Sequence, residues 1–514
     1  MRSPIKWSWA CRLMLTTNTN KEAPHMGDLP WTRKRHRKKH FVFPEKALRT
    51  SAVMLGASGS GKSETIRRAE YGGHKVYRRQ VIHIDAKGNT KKDDEESEDS
   101  AARFVATMRA AGAQNIKVFP STYYNGWLGS PAELKNRLLS VIDSSESAYY
   151  GDVATNALDL ALSARITPRN SRDFLANLDY DRLIQLYRGD RLNYPRVLKL
   201  NKKLLKEVEM RYQVFFSAMA GTLDGTLDYA DADAVYLRVR GFVLSKEAPR
   251  LGRFLVSDFM HYIAERRRAG VQTLLVIDEF NALSMREAPS VLFEQVRDFG
   301  GCVIISSQGY TGLGPREYAD RILDACSTYV LHACSDPLPV SKRAGKRWKL
   351  ETTYTEDEEG NPHPHHRLRH DWRVPETAVM QQDEGQAFWI YKGRAQQVQT
   401  AQVPITQAQV NEAWGEIRRQ EALQRTMLAQ QAQLRKTQAQ PTPPQPVQQP
   451  TPSTPISKPS PLLVASNAPS KKSQAQKQQP RPASKTPAPA VPPSPPQPPI
   501  PPVPAVDDDE PDEL

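Results

Sequence analysis

Cysteine and long apolar stretches are what this sequence has least of. Its 514 residues include only four cysteines, and none is in a Cys-x-x-Cys spacing, so the pattern disfavours a zinc site and indicates a reducing compartment. There is no uninterrupted apolar run of about 18 residues, and the best N-terminal candidate, Trp7 to Leu15, is broken by Arg12. We therefore expect neither a transmembrane helix nor a signal peptide, and we expect a cytoplasmic location.

Positive charge, by contrast, is in excess. The formal net charge of +14 at pH 7 favours a polyanionic partner, either nucleic acid or an anionic membrane surface, and predicts that binding weakens as salt rises. The segment Arg33 to His40 is mostly Lys and Arg, and it either contacts phosphates or forms a solvated basic arm. Residues 1–30 show no periodic pattern and are predicted to be disordered.

The C-terminal region has a different composition from the rest. More than half of the 41 prolines lie beyond Gln440, where the residues cannot bury enough apolar area to offset chain entropy. We predict a disordered Pro/Gln-rich tail over residues 438–514, with an acidic cluster from Asp507 to Glu513. The preceding residues 404–437 contain few helix breakers and are predicted to form a helix. Further upstream, Tyr354 to Trp372 predicts a hairpin with a polar tip.

A glycine-rich segment early in the chain fits the pattern G-x-x-x-x-G-K-[ST]. It follows the apolar run Ala52 to Leu55, which is typical of a strand, and it precedes a predicted helix from Glu64 to Glu70. In such a segment backbone N–H groups surround the β-phosphate of a nucleotide, Lys62 reaches the β- and γ-phosphates, and Ser63 ligates Mg²⁺. The predicted nucleotide-binding residues are Gly56, Ala57, Ser58, Gly59, Ser60, Gly61, Lys62 and Ser63.

Strand and helix patterns alternate after this motif, which indicates an α/β fold with a mainly parallel sheet. The charged run Lys91 to Asp99 predicts a solvated surface loop. From about Ser147 to Leu227 the periodicity is helical and no strand is predicted, which indicates an inserted all-α subdomain. We thus expect a nucleotide-binding domain in two parts, residues 31–146 and 231–403, with a helical domain between them.

Two adjacent acids end the apolar strand that begins at Thr273. Successive side chains of a strand face opposite ways, so Asp278 is predicted to hold Mg²⁺ and Glu279 to act as general base on the attacking water. An Asp-Glu pair at the end of a strand is a weak signal alone, and the glycine-rich motif strengthens it. ATP is favoured over GTP because the segment Asn201 to Leu204 lacks the aspartate of an N-K-x-D guanine-reading motif.

Two more polar residues are candidates for catalysis. Gln308 ends the strand that follows the acidic pair, where its amide is predicted to sense the γ-phosphate or the catalytic water; the alternative is an ordinary polar strand end. Arg297 ends the helix between these two strands and is predicted to reach the γ-phosphate bound by a neighbouring subunit. The alternative for Arg297 is a cation that interacts with the helix dipole.

Taken in this order, the motifs resemble those of the coupling-protein ATPases of conjugation and type IV secretion, the TraD/TraG group within the HerA/FtsK class. The resemblance covers about residues 40 to 403 and is carried by GASGSGKS, HIDAKGN, LLVIDEFNAL and VRDFGGCVIISSQGYTGL. The intervals between Asp278, Arg297 and Gln308 look like the family's spacing of Walker B acid, arginine finger and sensor glutamine. Two features depart from the family: no N-terminal transmembrane helix is predicted, and Gly309 stands where the family often has Ser.

The resemblance implies a RecA-like P-loop core that binds ATP and Mg²⁺, assembles as a homo-hexamer and moves DNA through a central channel. It also implies relaxosome or secretion-channel proteins as partners of the helical domain and tail. Membrane contact, at the inner face of the cell membrane, would then occur only through a partner. Two other functions stay open: a soluble HerA/FtsK-like chromosome or DNA-processing translocase, and a nucleotide-gated recruitment platform for partner proteins.

Overall fold

The computed structural model describes residues 48–86, 91–142, 148–239, 247–283, 289–356 and 362–439. The predictions for residues 1–30, for the basic segment Arg33 to His40 and for the tail beyond residue 439 lie outside these ranges. Within the described ranges, no helix combines the length and the apolar character needed to cross a lipid bilayer.

A nine-stranded sheet forms the centre of the fold. The strands of the described chain are β1 (Ala52–Leu55), β2 (Gln80–Asp85), β3 (Ile116–Phe119), β4 (Ala234–Arg238), β5 (Thr273–Asp278), β6 (Cys302–Ser307), β7 (Thr328–Leu331), β8 (Lys346–Glu356), β9 (Pro362–Trp372), β10 (Gln386–Tyr391) and β11 (Arg394–Gln399). The sheet order is β11-β10-β7-β1-β6-β5-β2-β4-β3, and β8 and β9 form a separate antiparallel ribbon. All neighbours from β7 to β3 are parallel, whereas β10 is antiparallel to both β7 and β11. The predicted α/β fold with a mainly parallel sheet is confirmed.

The central strands form because their residues are apolar on both faces. Every residue of β1, β5 and β6 is buried, as expected for parallel strands that are covered on both sides. Val53 and Leu55 of β1 belong to one hydrophobic cluster, while the alternate residues Ala52 and Met54 belong to a second. The sheet therefore separates two apolar layers, and helices complete each of them.

The helices of the described chain are α1 (Lys62–Lys75), α2 (Lys91–Ala111), α3 (Pro131–Leu139), α4 (Ala148–Leu162), α5 (Ser171–Asn177), α6 (Tyr180–Leu186), α7 (Tyr194–Leu198), α8 (Lys202–Met219), α9 (Glu247–His261), α10 (Pro289–Asp298), α11 (Arg316–Ala325), α12 (Leu338–Ser341), α13 (Glu376–Met380) and α14 (Gln407–Ala439). The helices α3 to α8 all lie between β3 and β4. Local signals set their starts: α3 begins with a capping box in which Ser130 and Glu133 bond each other's backbone N–H groups. The side chains of Asn170, Asp179 and Asn201 cap α5, α6 and α8.

The helix α2 differs from the sequence prediction. The charged run Lys91 to Asp99, predicted as a loop, forms the first turns of this helix. Glu and Lys are good helix formers, so a solvated helix and a solvated loop share the same charge pattern. Buried apolar residues begin only at Ala101, followed by Phe104 and Val105, so the helical periodicity is readable in the second half alone.

The C-terminal helix α14 covers the edge of the sheet at β3. Its Gln420 side chain donates to the carbonyl of Ile116 at 3.1 Å and accepts from the backbone N–H of Val118 at 3.4 Å. Glu416, one turn earlier, pairs with Arg109 of α2 at 2.7 Å. An edge strand presents unpaired backbone groups, and here a side-chain amide satisfies two of them in place of a further strand.

A buried ionic cluster joins α3 to α9. Asp258 of α9 is fully buried and pairs with Arg137 of α3 and, at 2.5 Å, with Arg266. The hydroxyl of Tyr124 also donates to Asp258. Arg137 donates in addition to two backbone carbonyls in the chain segment before α3. A buried carboxylate is tolerated only with such partners, so this cluster fixes how α3 sits against α9.

Candidate nucleotide-binding site

The glycine-rich loop leaves β1 at Leu55 and enters α1 at Lys62. Gly61 has φ 96°, a left-handed conformation, and a Cβ there would lie 2.7 Å from the backbone nitrogen of Gly385. A Cβ on Gly56 would lie 2.6 Å from the Cβ of His332. Both positions therefore require glycine, one for backbone conformation and close approach and the other for close approach alone.

Backbone hydrogen bonds hold the loop to the ends of the two strands that flank β1. The N–H of Gly56 donates to the carbonyl of Ser307 at the end of β6, at 3.2 Å, and the N–H of Ala57 donates to Ala333 after β7, at 2.7 Å. Lys62 is buried, and its Nζ donates to the loop carbonyls of Gly56 and, at 3.3 Å, of Ala57. The lysine thus folds back over the loop that would surround a phosphate.

The acidic pair lies at the end of β5. Asp278 is 3% exposed, and its Oδ1 accepts hydrogen bonds from the hydroxyl of Ser306 and, at 3.1 Å, from the N–H of Glu279. Glu279 has φ 56°, so the chain turns away from the strand direction at this residue. A left-handed turn, and not the strand alternation on which the sequence argument relied, places the Glu279 side chain. For a residue other than glycine this conformation costs about 1–3 kcal/mol, and such strain is concentrated at functional sites.

The sheet brings the glycine-rich loop and the acidic pair to the same edge. Leu55 of β1 is in register with Ser307 of β6, and Ile277 of β5 is in register with Ile305 of β6. Both motifs therefore follow the carboxyl ends of strands that share one neighbour. Ser63 and Asp278 both line one small cleft, together with Glu70 and His83.

A second layer of polar residues lines the cleft. Glu70 of α1 is fully buried, and its Oε1 lies 2.5 Å from the Nδ1 of His83 on β2. The His83 ring stacks on Tyr236, whose hydroxyl donates to Asp85 at 2.5 Å. Burial by itself lowers the pKa of His83, but Glu70, followed by the aspartates, outweighs burial and leaves the pKa raised. The acids around His83 thus favour its protonated form more than water does.

The loop is also contacted from the opposite side by residues near β7 and β11. The Thr65 hydroxyl of α1 lies 3.0 Å from the Nε2 of His332 and 2.7 Å from the hydroxyl of Thr400. The N–H of Gly385 donates to the carbonyl of Ser60 at 3.0 Å. Burial, with the nearby Lys62 ammonium, lowers the pKa of His332 to about 4, so this imidazole is neutral at pH 7.

Arg297 and Gln308 lie outside the residues that line this cleft. The side chain of Arg297 is 56% exposed at the end of α10, and its nearest acid is Asp298, at 3.6 Å. Gln308 is exposed and directly follows Ser307, whose carbonyl accepts from the glycine-rich loop. Neither position contradicts its predicted role, since one role requires a second subunit and the other requires a link to the loop.

Several residues of the site were not predicted from the sequence. No sequence pattern identifies Ser306 as the residue that donates to Asp278, because an apolar strand such as β6 could end in any small residue. The pairs formed by His83 with Glu70 and by His332 with Thr65 join distant segments. Their common signal is that both histidines lie at or just beyond the carboxyl half of a strand next to the nucleotide-binding edge.

These features define a RecA-like P-loop fold of the nucleotide-binding type: a parallel sheet with a glycine-rich loop after one strand and an acid after another. Among solved structures, the fold is shared with the plasmid coupling protein TrwB. The TrwB complex with the non-hydrolysable GTP analogue GDPNP is 14% identical and matches 70% of this chain and 87% of its own, with a TM-score of 0.52.

Two other TrwB complexes agree with this likeness. The complex with the ATP analogue ADPNP is 13% identical with a TM-score of 0.52, and the complex with ADP and Mg²⁺ is 14% identical with a TM-score of 0.51. Each matches 71% of this chain and 88% of its own. No protein-family model and no curated protein sequence matches this chain. At this level of identity, the likeness shows the fold.

The low pKa of His332 makes stability depend on pH. A histidine that stays neutral in the folded state but has a pKa of about 6.5 when unfolded binds fewer protons folded than unfolded, so stability falls as pH drops below 6.5. Between pH 7 and pH 5 this residue should lower the free energy of unfolding by about 2 kcal/mol.

Urea unfolding of the wild-type chain and of His332→Gln at both pH values isolates this contribution. The variant should lose less stability than the wild type over the same interval, because glutamine does not titrate. Equal losses for the two proteins would contradict a buried neutral imidazole.

Proposed function

We propose that this protein is an ATP-driven DNA-translocating motor of the conjugative coupling type. One observation carries the proposal: Ser63 of the glycine-rich motif and Asp278 at the end of β5 line one cleft at the carboxyl edge of a parallel sheet. A shared phosphate and metal site needs this convergence. The fold it has in common with TrwB, solved with nucleotides and with Mg²⁺, supports the same assignment.

The residues present fit Mg²⁺·ATP. A serine hydroxyl and an aspartate carboxylate are hard oxygen donors of the kind that Mg²⁺ takes together with phosphate oxygens. Bound there, Mg²⁺ would neutralise charge that develops on the phosphates. The N–H groups from Gly56 to Gly61 and the Lys62 ammonium would bind the phosphates once Lys62 moves off the loop carbonyls.

Glu279 is the proposed general base. It follows the proposed metal ligand directly, and its left-handed backbone turns the chain away from the path of β5. The N–H of Glu279 donates to the carboxylate of Asp278, so the backbone at the proposed base is tied to the proposed metal ligand.

The proposed preference for ATP over GTP is supported by the position of Asn201. Its side chain caps α8 by accepting from the backbone N–H groups of Lys203 and Leu204. This side chain is therefore committed to the helix N-terminus and not to reading a guanine base.

DNA as the substrate and a six-membered ring as the assembly are further parts of the proposal. The net charge of +14 supports a polyanionic partner. Arg297 is exposed at the end of α10 and lies outside the cleft of its own chain, which supports a role in the site of a neighbouring subunit. Gln308 directly follows Ser307, whose carbonyl accepts from the N–H of Gly56, so a movement of the glycine-rich loop would be transmitted to Gln308 through Ser307.

The proposal is tested by the ATPase rate of the purified chain with and without single-stranded and duplex DNA. A motor should hydrolyse ATP faster when DNA is present, and Glu279→Gln should lower the rate by about 10²–10⁴-fold while ATP still binds. Glu265→Gln, which removes an exposed carboxylate on the π-helical turn after α9, is the matched control and should keep the wild-type rate.

Two outcomes would oppose the proposal. An ATPase rate that DNA leaves unchanged favours a nucleotide-gated recruitment platform over a motor. Undiminished hydrolysis by Glu279→Gln removes the assigned base, whatever the response to DNA.

The role of Arg297 is tested by mixing two inactive variants. Arg297→Ala keeps an intact glycine-rich loop, and Lys62→Ala keeps an intact arginine, so an interface between the two variants contains one complete site. If Arg297 acts on the neighbour's nucleotide, the mixture should regain part of the ATPase activity that each variant lacks alone. No regain in a mixture that co-assembles by mass measurement would assign Arg297 to its own subunit or to structure only.

A further inference from the structure

The ribbon formed by β8 and β9 is exposed on both faces. Its register pairs Lys346 with Trp372 and continues without a break to Glu356 with Pro362. It leaves the domain between α12 and α13, and the described residues of its two strands show no pairing with the nine-stranded sheet. A two-stranded ribbon that covers no core needs another reason for the residues on its faces.

One face of the ribbon is aromatic and apolar. Trp348, Leu350 and Leu368 point to this face by register and are 68%, 59% and 63% exposed. The Trp348 ring stacks on His370 with centroids 4.6 Å apart and planes inclined by 19°. Trp372 lies one pair further toward the domain, with the Lys346 ammonium 4.6 Å from its ring centre. The result is a stripe of flat rings bordered by a cation.

The other face is basic. Arg347, Lys349, Arg367 and Arg369 alternate with the aromatic residues on the two strands, and only Glu351 and Asp371 offset them within the described part of this face. Arg369 lies 3.0 Å from Asp371 and 3.9 Å from Glu351. Because the ribbon is only two strands wide, side chains as long as those of Arg and Lys are able to extend past its edges toward the opposite face.

We propose that this ribbon binds an unpaired nucleic-acid strand, with bases stacked on the Trp348–His370–Trp372 stripe and phosphates held by the arginines and lysines that reach round the edges. Stacked aromatics combined with a basic surface are the two elements of sequence-tolerant single-strand binding. Charge complementarity selects the polyanion, and the flat exposed rings select one whose bases are free to stack.

The composition of the aromatic face argues against insertion into a lipid surface. His366 and Thr352 lie on the same face and hydrogen-bond each other at 3.0 Å, and His370 and the charged Lys346 lie further along this face. Burial of these polar groups among acyl chains costs free energy, whereas bases and sugars offer them hydrogen-bond partners.

The inference rests on the proposed function in that it names an element that would hold the DNA strand of the motor. It can nevertheless succeed or fail separately, because binding to the ribbon is measured without nucleotide. No residue of the ribbon is among those that line the nucleotide cleft, so its substitution should leave the basal ATPase rate unchanged.

Fluorescence anisotropy of a labelled 20-nucleotide oligo(dT), with the full chain and no nucleotide, tests the inference. Trp348→Ala should weaken binding about 5- to 150-fold, the range for the loss of one stacked base, and Trp348→Phe should restore most of it. The double substitution Lys349→Gln with Arg367→Gln should reduce the dependence of log Kd on log salt by about one to two. An unchanged melting temperature establishes that the exposed variants are folded.

Four results would overturn the inference. The first is no oligo(dT) binding by the wild-type chain, and the second is equal binding by Trp348→Ala. The third is that Trp348→Ala loses binding to vesicles that contain phosphatidylserine while its oligo(dT) binding stays intact, which assigns the ribbon to a membrane. The fourth is a lower assembly mass for Trp348→Ala with oligo(dT) binding intact, which assigns it to contact between copies of this chain. If Trp348→Ala shows DNA-stimulated ATPase activity together with unchanged oligo(dT) binding, the ribbon is not the binding site, whereas the proposed motor function is still supported.

Discussion

The parallel pairing of β1, β6 and β5 is the constraint on which the rest of the structure depends. β6 lies between the strand that carries the glycine-rich loop and the strand that ends in the acidic pair, and its own last residues bond to both. Ser307 accepts from Gly56, and Ser306 donates to Asp278. Two segments more than two hundred residues apart in sequence are thereby fixed at one edge, and a shift in register of β6 would separate them.

Around this edge, buried polar groups are arranged in opposed pairs. On one side His83 lies among Glu70, Asp85 and Asp278, and its pKa is raised by those acids. On the other side His332 lies near Lys62 and is kept neutral by burial and by that ammonium. The pKa values of the two imidazoles are thus shifted in opposite directions, upward for His83 beside the acids and downward for His332 beside Lys62. These contacts hold the loop and the acids in place.

The sequence predicted the elements whose signals are local. The glycine-rich loop, its flanking strand and helix, the parallel sheet and the hairpin near Trp372 each have a pattern that a short window contains. The loop predicted from Lys91 to Asp99 was wrong, because this run forms the first turns of α2, and charged helical turns and charged loops differ only in backbone hydrogen bonding. The contacts of Gly385 and His332 with the loop were not predictable, because they join segments about 270 to 320 residues apart and depend on strand order. Residue roles in catalysis stay predictions.

The central claim is that Ser63 and Asp278 hold one and the same Mg²⁺ beside one nucleotide. A double-mutant cycle tests it most directly, with the affinity for ATP measured calorimetrically at several Mg²⁺ concentrations for Ser63→Ala, Asp278→Asn and the double variant. If both residues hold one ion, the loss in the double variant should be clearly smaller than the two single losses combined, and the dependence on Mg²⁺ should vanish in all three. Additive losses, with Mg²⁺ dependence retained in either single variant, would contradict a shared metal site.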